Sequence, residues 1–385
     1  MTHSTSFTYQ LKREILSFSN KISKCLSKPD RKFFADMLYG ILASRSCLLT
    51  DISDKLLEPC KKINTVDRLS AHLTKGTPKE ALNACLALLR KWCPAHPVIL
   101  IDDSDVVKPD GCKFEDLGWV RDGSKSTSSK EKDFTSINDV AFSAMERAAA
   151  LFGKAAFIMD EGYDDNKMFL KLDSMGQDYV IRLTSRRKLL CHNKWVSATE
   201  LRNRRKGKVK LPLFYKGKMH EAYLSHVKVQ ITASRKDIYL VLVYGITEHP
   251  MMLATNREIR SKDDVIRAAM LYFSRWKIEE YFRCKKQVFQ FENFRVRKLK
   301  AINALNFYIT LCMAFLAHMS VKSETNVLKT EIIRTAKSIR EKVAFCYYRL
   351  AKGISGILSH AKEGIRLWFR TKRPAYRQLR LKLVV

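Results

Sequence analysis

Two short apolar runs in this chain end on aspartate. Val98-Ile99-Leu100-Ile101 leads into Asp102-Asp103, and Ala155 to Met159 leads into Asp160. Unbroken runs of this kind are the pattern of strands buried on both faces. In open α/β sheets the crevice beyond the carboxyl ends of such strands is where ligands bind. Two carboxylates meeting there repel each other unless a cation lies between them, and hard oxygen donors favour Mg²⁺ or Mn²⁺. Aspartate also ends many strands for purely structural reasons, so this pair alone decides nothing.

A third acidic residue lies far along the chain. In LYFSRWKIEEYFRCKKQ, Tyr272, Arg275, Glu279 and Lys286 follow one another at three, four and seven positions. At about 100° per residue of helix they fall within an arc of about 60°. Glu280 lies about 100° away on the same arithmetic, so Glu279 is the carboxylate of that face. One reading is a metal ligand flanked by Arg and Lys donors for phosphate. The plainer one is a helical ion pair, Arg275 with Glu279.

The elements that must position these residues can be read around them. Residues 7 to 93 carry apolar positions at helical spacing, with breaks at Pro29, Pro59 and Pro78, and predict an all-α module. From Pro97 the order becomes strand (98–101), helix (136–151), strand (155–159), helix (166–172) and strand (179–183), an alternating α/β core. A basic, β-rich stretch from 186 holds Arg202, Arg204, Arg205, Lys206, Lys208 and Lys210. It continues into strands at 211–215 and 222–231, joined by a hairpin at Lys216-Gly217-Lys218, and at 238–244 and 252–255. Helix returns at 263–290 and 299–319, and the tail from 330 is helical and basic. Ile302 to Val321 has membrane-span length, but Asn303, Asn306, Thr310 and His318 within it predict a buried helix, since such groups are costly in lipid.

Charge narrows the partner. Lys plus Arg is 71 against 39 Asp plus Glu, a net charge of +32 over 385 residues, in a chain that is 46% hydrophobic. Such a chain folds and attracts phosphate polymers, so nucleic acid is the expected partner, bound with strong salt dependence. A neutral metabolic enzyme is disfavoured. The opening MTHSTSFTYQLKRE has no apolar signal region, and an intracellular protein is expected. The 10 cysteines form no CxxC pair. Cys93 with His96 and Cys191 with His192 have no second pair at zinc spacing, so reduced core thiols are expected. Gly118-x4-Gly123-Ser124-Lys125-Ser126 resembles a phosphate-binding loop, but an extra Ser displaces the Lys and no buried strand precedes it.

The pattern Tyr-x2-Arg-x3-Glu-x6-Lys at Tyr272, Arg275, Glu279 and Lys286 resembles the signature of the DDE transposases of bacterial insertion sequences, in their insertion-sequence-four branch. ILIDDSDVVKP around Asp103 and AFIMDEGYDD around Asp160, followed by YVIRLTSRR, match it upstream in the right order. The resemblance runs from about 95 to 320. It implies a ribonuclease H-like catalytic domain (95–320) with a β-rich insertion at about 186–256. A helical, DNA-end-binding domain (1–94) precedes it and a basic helical region (321–385) follows.

The implied chemistry is metal-dependent phosphodiester cleavage at element ends, followed by attack of the freed 3′-hydroxyl on target DNA. Asp103, Asp160 and Glu279 would hold two Mg²⁺ or Mn²⁺ ions, with Asp102 as the fallback for Asp103, and Tyr272, Arg275 and Lys286 would contact DNA. Terminal inverted repeats and target DNA are the implied partners, bound by a homodimer in the cytoplasm at the nucleoid. Members of the branch carry an aromatic for base flipping before the Tyr helix; here the nearby residue is Met251. The family sheet also carries two antiparallel strands after the first Asp, whereas residues 104–136 offer only the apolar cluster Leu117, Trp119 and Val120. One or both strands are therefore expected to be missing. That leaves two further readings, a catalytically silent DNA-binding derivative and a metal-dependent nuclease without strand transfer.

Overall fold

A computed structural model describes residues 3–104, 106, 114, 137–215, 217–232, 235–323, 326–336 and 346–365. The chain divides into two units, one of Met1–Leu86 and Tyr281–Val385 with Val106–Ser128, the other of Ala87–Asp105 and Ser129–Glu280. The cluster at Leu117, Trp119 and Val120, Asp105, the Gly118 to Ser126 motif and the basic tail beyond 365 lie outside the described residues.

Five helices open the chain, α1 His3–Ser23, α2 Lys28–Ser44, α3 Leu49–Leu56, α4 Lys62–Thr74 and α5 Lys79–Trp92. Strand β1 is Val98–Leu100, followed by α6 Ile137–Phe152, β2 Ala156–Met159, α7 Asn166–Ser174 and β3 Asp178–Arg182. Next come β4 Lys188–Cys191, β5 Lys194–Ser197, α8 Ala198–Asn203, β6 Val209–Tyr215, β7 Lys218–Ile231, β8 Lys236–Tyr244 and β9 Met251–Thr255. The last helices are α9 Lys262–Phe273, α10 Trp276–Gln287, α11 Leu299–Ser320, α12 Val327–Thr335 and α13 Tyr347–Leu358.

In the helical unit α11 is the central element, packed against α2, α4 and α13. Phe33 and Phe34 of α2 meet Tyr308 edge-on at 5.4 and 5.3 Å, and Phe18 meets Phe315 at 5.5 Å. By length and composition α11 could cross a membrane, the one helix among the described residues that could, yet 56% of its apolar window is buried inside the protein. Three of its polar residues have partners: Asn306 accepts from Lys285, Thr310 donates to the Asn306 carbonyl at 2.9 Å, and His318 stacks on Phe18.

Lys285 of α10 is buried beside α11. Its ammonium donates to Asn306 Oδ1 and, at 3.3 Å, to Thr310, and it lies 5.3 Å from the Tyr281 ring and 5.4 Å from the Phe291 ring. Burial pushes it down to about 8, from the 10.5 of a solvated lysine. Below pH 8 both folded and unfolded chains are protonated and the cost of burying the charge is fully present. Between pH 8 and 10.5 the unfolded chain holds the extra proton, so stability rises with pH. Lys285→Met should therefore raise stability at pH 7 by about 1–2 kcal/mol. That gain should shrink by pH 10, as measured by urea unfolding at the two pH values.

The second unit is built on a nine-stranded sheet of order β1-β2-β3-β9-β8-β7-β4-β5, with β6 paired to β7. β1, β2 and β3 run parallel, and β9 joins β3 antiparallel. The basic insertion therefore extends the core sheet through β9 instead of standing apart from it. Both faces of the three parallel strands are covered, as their apolar runs predict. Phe157, Met159, Tyr179 and Ile181 pack with Met145 of α6 and Phe169 of α7. Ile158 and Val180 pack with Val265, Ala268 and Tyr272 of α9. Among the described residues β1 pairs with β2 alone.

The structure departs from the sequence reading in two elements. A hairpin, β4 with β5, and the short helix α8 fill the part of the β-rich stretch before 211, for which the sequence predicts no individual element. The predicted helix at 263–290 is two helices, α9 and α10, separated by Ser274-Arg275. Ser274 Oγ donates to the Leu271 carbonyl at 2.6 Å. The next amides close on carbonyls three residues back, Arg275 on Tyr272, Lys277 on Ser274 and Ile278 on Arg275. That overwound turn interrupts the unbroken 263–290 helix on which the common face of Tyr272, Arg275, Glu279 and Lys286 rests.

Candidate active site

Register sets the site. Leu100 pairs with Ile158 and Ile158 with Val180, and the ladder runs one step further as the Ile101 amide donates to the Ile158 carbonyl at 3.0 Å. Two residues beyond that row come Asp102, Asp160 and Arg182. Side chains two apart on a strand share a face, so all three leave the sheet on the side of Leu100, Ile158 and Val180, against which α9 packs. Asp103 follows the opposite parity, that of Ile99 and Ile101, which pack in the other layer with Phe157 and Tyr163.

One guanidinium draws the acids together. Arg275, in the turn between α9 and α10, donates from Nη1 to Asp102 at 2.8 Å and from Nη2 to Glu279 at 2.5 Å, and its Nη2 lies 3.6 Å from Asp160. Tyr272, buried at the end of α9, donates its hydroxyl to Asp160 Oδ1 at 2.9 Å. Burial and then the charge of Asp160 drive the Tyr272 phenol far up, so it stays a donor. Arg182 lies 3.9 Å from Asp160 and 3.3 Å from Glu161. Burial raises the Asp102 carboxyl, Arg275 pulls it back, and Asp103, Asp160 and Glu279 push it up.

The predicted site residues thus fare differently. Asp160, Glu279, Tyr272 and Arg275 come together with Asp102, which pairs with Arg275, whereas Asp103 is exposed. Lys286 belongs to the other unit, where it pairs with Glu292 at 3.0 Å. Met251 is buried at the start of β9. Two contributors lie within the AFIMDEGYDD and YVIRLTSRR motifs, which do not single them out. Arg182 is one. The other is a clamp behind Asp160, in which the buried Asp164 carboxylate accepts from the Thr184 amide at 2.8 Å, the Thr184 hydroxyl at 2.9 Å and Arg187 Nε at 2.7 Å. It ties the turn after β2 to the loop after β3.

The donor set suits a hard divalent cation. In a chain of net charge +32, Asp102, Asp103, Asp160, Glu161 and Glu279 outnumber Arg182 and Arg275 at this strand edge, which leaves carboxylate charge for a cation to neutralise. As arranged, no three His, Cys, Asp or Glu side chains among the described residues are closed around a common point, because Arg275 stands between them.

Residues 124–315 match the family described as the transposase DDE domain. The matched stretch takes in Asp160, Tyr272, Arg275, Glu279 and Lys286 and begins beyond Asp102 and Asp103. No curated protein matches the chain.

Proposed function

The transposase DDE domain at residues 124–315 supports a place in a DDE transposase family, and on that premise we propose that the chain cleaves DNA at the ends of an insertion sequence and joins the freed 3′-hydroxyl to target DNA. The mixed α/β sheet is compatible with a ribonuclease H-like core. The observation that carries the reading is the convergence of Asp102, Asp160 and Glu279, from three distant segments, on one guanidinium at the carboxyl ends of parallel strands.

Asp102, Asp160 and Glu279 are the residues that would hold Mg²⁺ or Mn²⁺, which when bound activates the attacking oxygen and stabilises the leaving one. Tyr272 fixes the Asp160 carboxylate through its hydroxyl. Arg275 offsets the mutual repulsion of the carboxylates and offers a planar pair of donors to a phosphate of the cut strand. Lys286 and the N-terminal helices add DNA contacts, the latter at the terminal repeats, in a homodimer acting at the nucleoid.

The resemblance points to Asp103 and the register to Asp102, and single substitutions separate them. Asp102→Asn should abolish nicking of DNA that carries the repeats flanking the gene. Asp103→Asn should keep the rate within about tenfold. The reverse pattern would return the role to Asp103. Nicked product without joined product would favour a nuclease.

A further inference from the structure

A concave surface of about 750 Å³ lies in the insertion, between the β4–β5 hairpin, α8 and β7, and shares no residue with the carboxylate cluster. Its rim carries Lys194, Arg204, Arg205, Lys206 and Lys208, and its floor is apolar, with Leu201 and Leu224. No acidic side chain lines it. Arg204 is tied to Glu200, and Arg205 donates from Nη1 to the His226 carbonyl at 3.1 Å, which holds that guanidinium at the wall. Lys194, Lys206 and Lys208 have no acidic partner among the described residues.

The hairpin that brings Lys194 opposite the 204–208 run turns on His192 and Asn193, both left-handed at φ 49° and 60°. Histidine and asparagine are among the non-glycine residues that adopt this conformation most readily. The turn closes a wall that the linear run of basic residues does not by itself possess. Three lysines on a concave wall without an acidic partner, beside Arg205, repel one another unless a polyanion lies among them, and the low-dielectric floor strengthens their common field.

We propose that this groove binds the phosphodiester backbone of DNA, as a second contact separate from the carboxylate edge. The proposal deepens the reading of the chain as a DNA-processing protein. The lysines are the ion-releasing contacts, because each neutralised phosphate frees condensed counterions, about 0.9 per contact on duplex and about 0.7 on single strands.

The test uses the full chain, a labelled random-sequence duplex and a labelled single-stranded oligonucleotide, with affinities measured from 50 to 300 mM salt. Lys194→Gln, Lys206→Gln and Lys208→Gln combined should flatten the plot of log affinity against log salt. The slope should fall by about 2.7 on duplex if the groove holds a duplex backbone, or by about 2 on the oligonucleotide if it holds a single strand. At 100 mM salt the affinity should drop about ten- to a hundredfold. The same three positions changed to Arg should restore both slope and affinity.

Unchanged slopes on both probes overturn the proposal, as does a triple Arg variant that binds as poorly as the Gln variant. The two readings can fail separately. If the wild-type chain never cuts element ends while its salt slope still depends on these lysines, the transposase reading falls and the groove stands. If cutting occurs and the slopes ignore the lysines, the groove falls alone.

Discussion

Glu279→Gln should abolish strand cleavage, by about a thousandfold or more, and leave DNA affinity within about threefold. The substitution keeps shape and removes one negative charge. Its structural cost is small, because Glu279 sits at the start of α10 with its side chain about half exposed and bonded to Arg275 alone among the contacts described. A Gln side chain can still accept from that guanidinium, so the turn that carries Arg275 persists. What is lost is an anionic ligand for a cation at the strand edge. Gel-shift affinity and nicking of the same labelled DNA, measured side by side, separate the two effects. A chain that only binds DNA would show no difference between wild type and variant in either assay.

Arg275→Ala should be the most destabilising change at the site. Its guanidinium is 14% exposed and reaches Asp102, 17% exposed, together with Asp160 and Glu279. Removing it leaves a partly buried carboxylate without its cation, at a cost of about 3 kcal/mol. The pH dependence has a definite sign. Burial already raises Asp102, and Arg275 is the group that lowers it, so in the variant the carboxyl lies further above its unfolded value. A folded acid with a raised value costs most at neutral pH. That cost is relieved as pH falls towards the carboxylate range, where the folded chain takes up the proton first. The gap in unfolding midpoint between wild type and variant should therefore be widest at pH 7.5 and narrower at pH 5. Lys at this position should recover only part of the loss, since a point charge cannot span three carboxylates.

Most of the frame that positions the carboxylates is legible in the sequence because it rests on local signals. Continuous apolar runs give β1, β2 and β3 within a residue or two, and the polar breaks in the 302–321 stretch predict the buried α11. Two features of the site depend on information that no local pattern carries. That Asp102, and not Asp103, faces Arg275 follows from the pairing of Leu100 with Ile158, and register is a property of two strands together. The placing of Glu279 depends on the overwound turn at Ser274, which helical arithmetic over an unbroken 263–290 helix passes across.

The β4–β5 hairpin escaped for a different reason. Its turn is His192-Asn193, with both residues left-handed and no glycine to announce it. The charges from Arg202 to Lys210 read as a solvated run until that hairpin sets Lys194 across from them. The expected loss of strands after the first aspartate concerns 104–136, nearly all of it outside the described residues.

The most direct test maps the cuts made by the purified full chain on DNA carrying the repeats that flank its gene, with Mg²⁺ present, at nucleotide resolution. The account predicts nicks at the repeat boundaries that leave 3′-hydroxyls, joined product when target DNA is added, and neither in Asp102→Asn, Asp160→Asn or Glu279→Gln. Cutting that persists unchanged in those three variants, or a wild-type chain that binds the repeats and never cuts them, would contradict it.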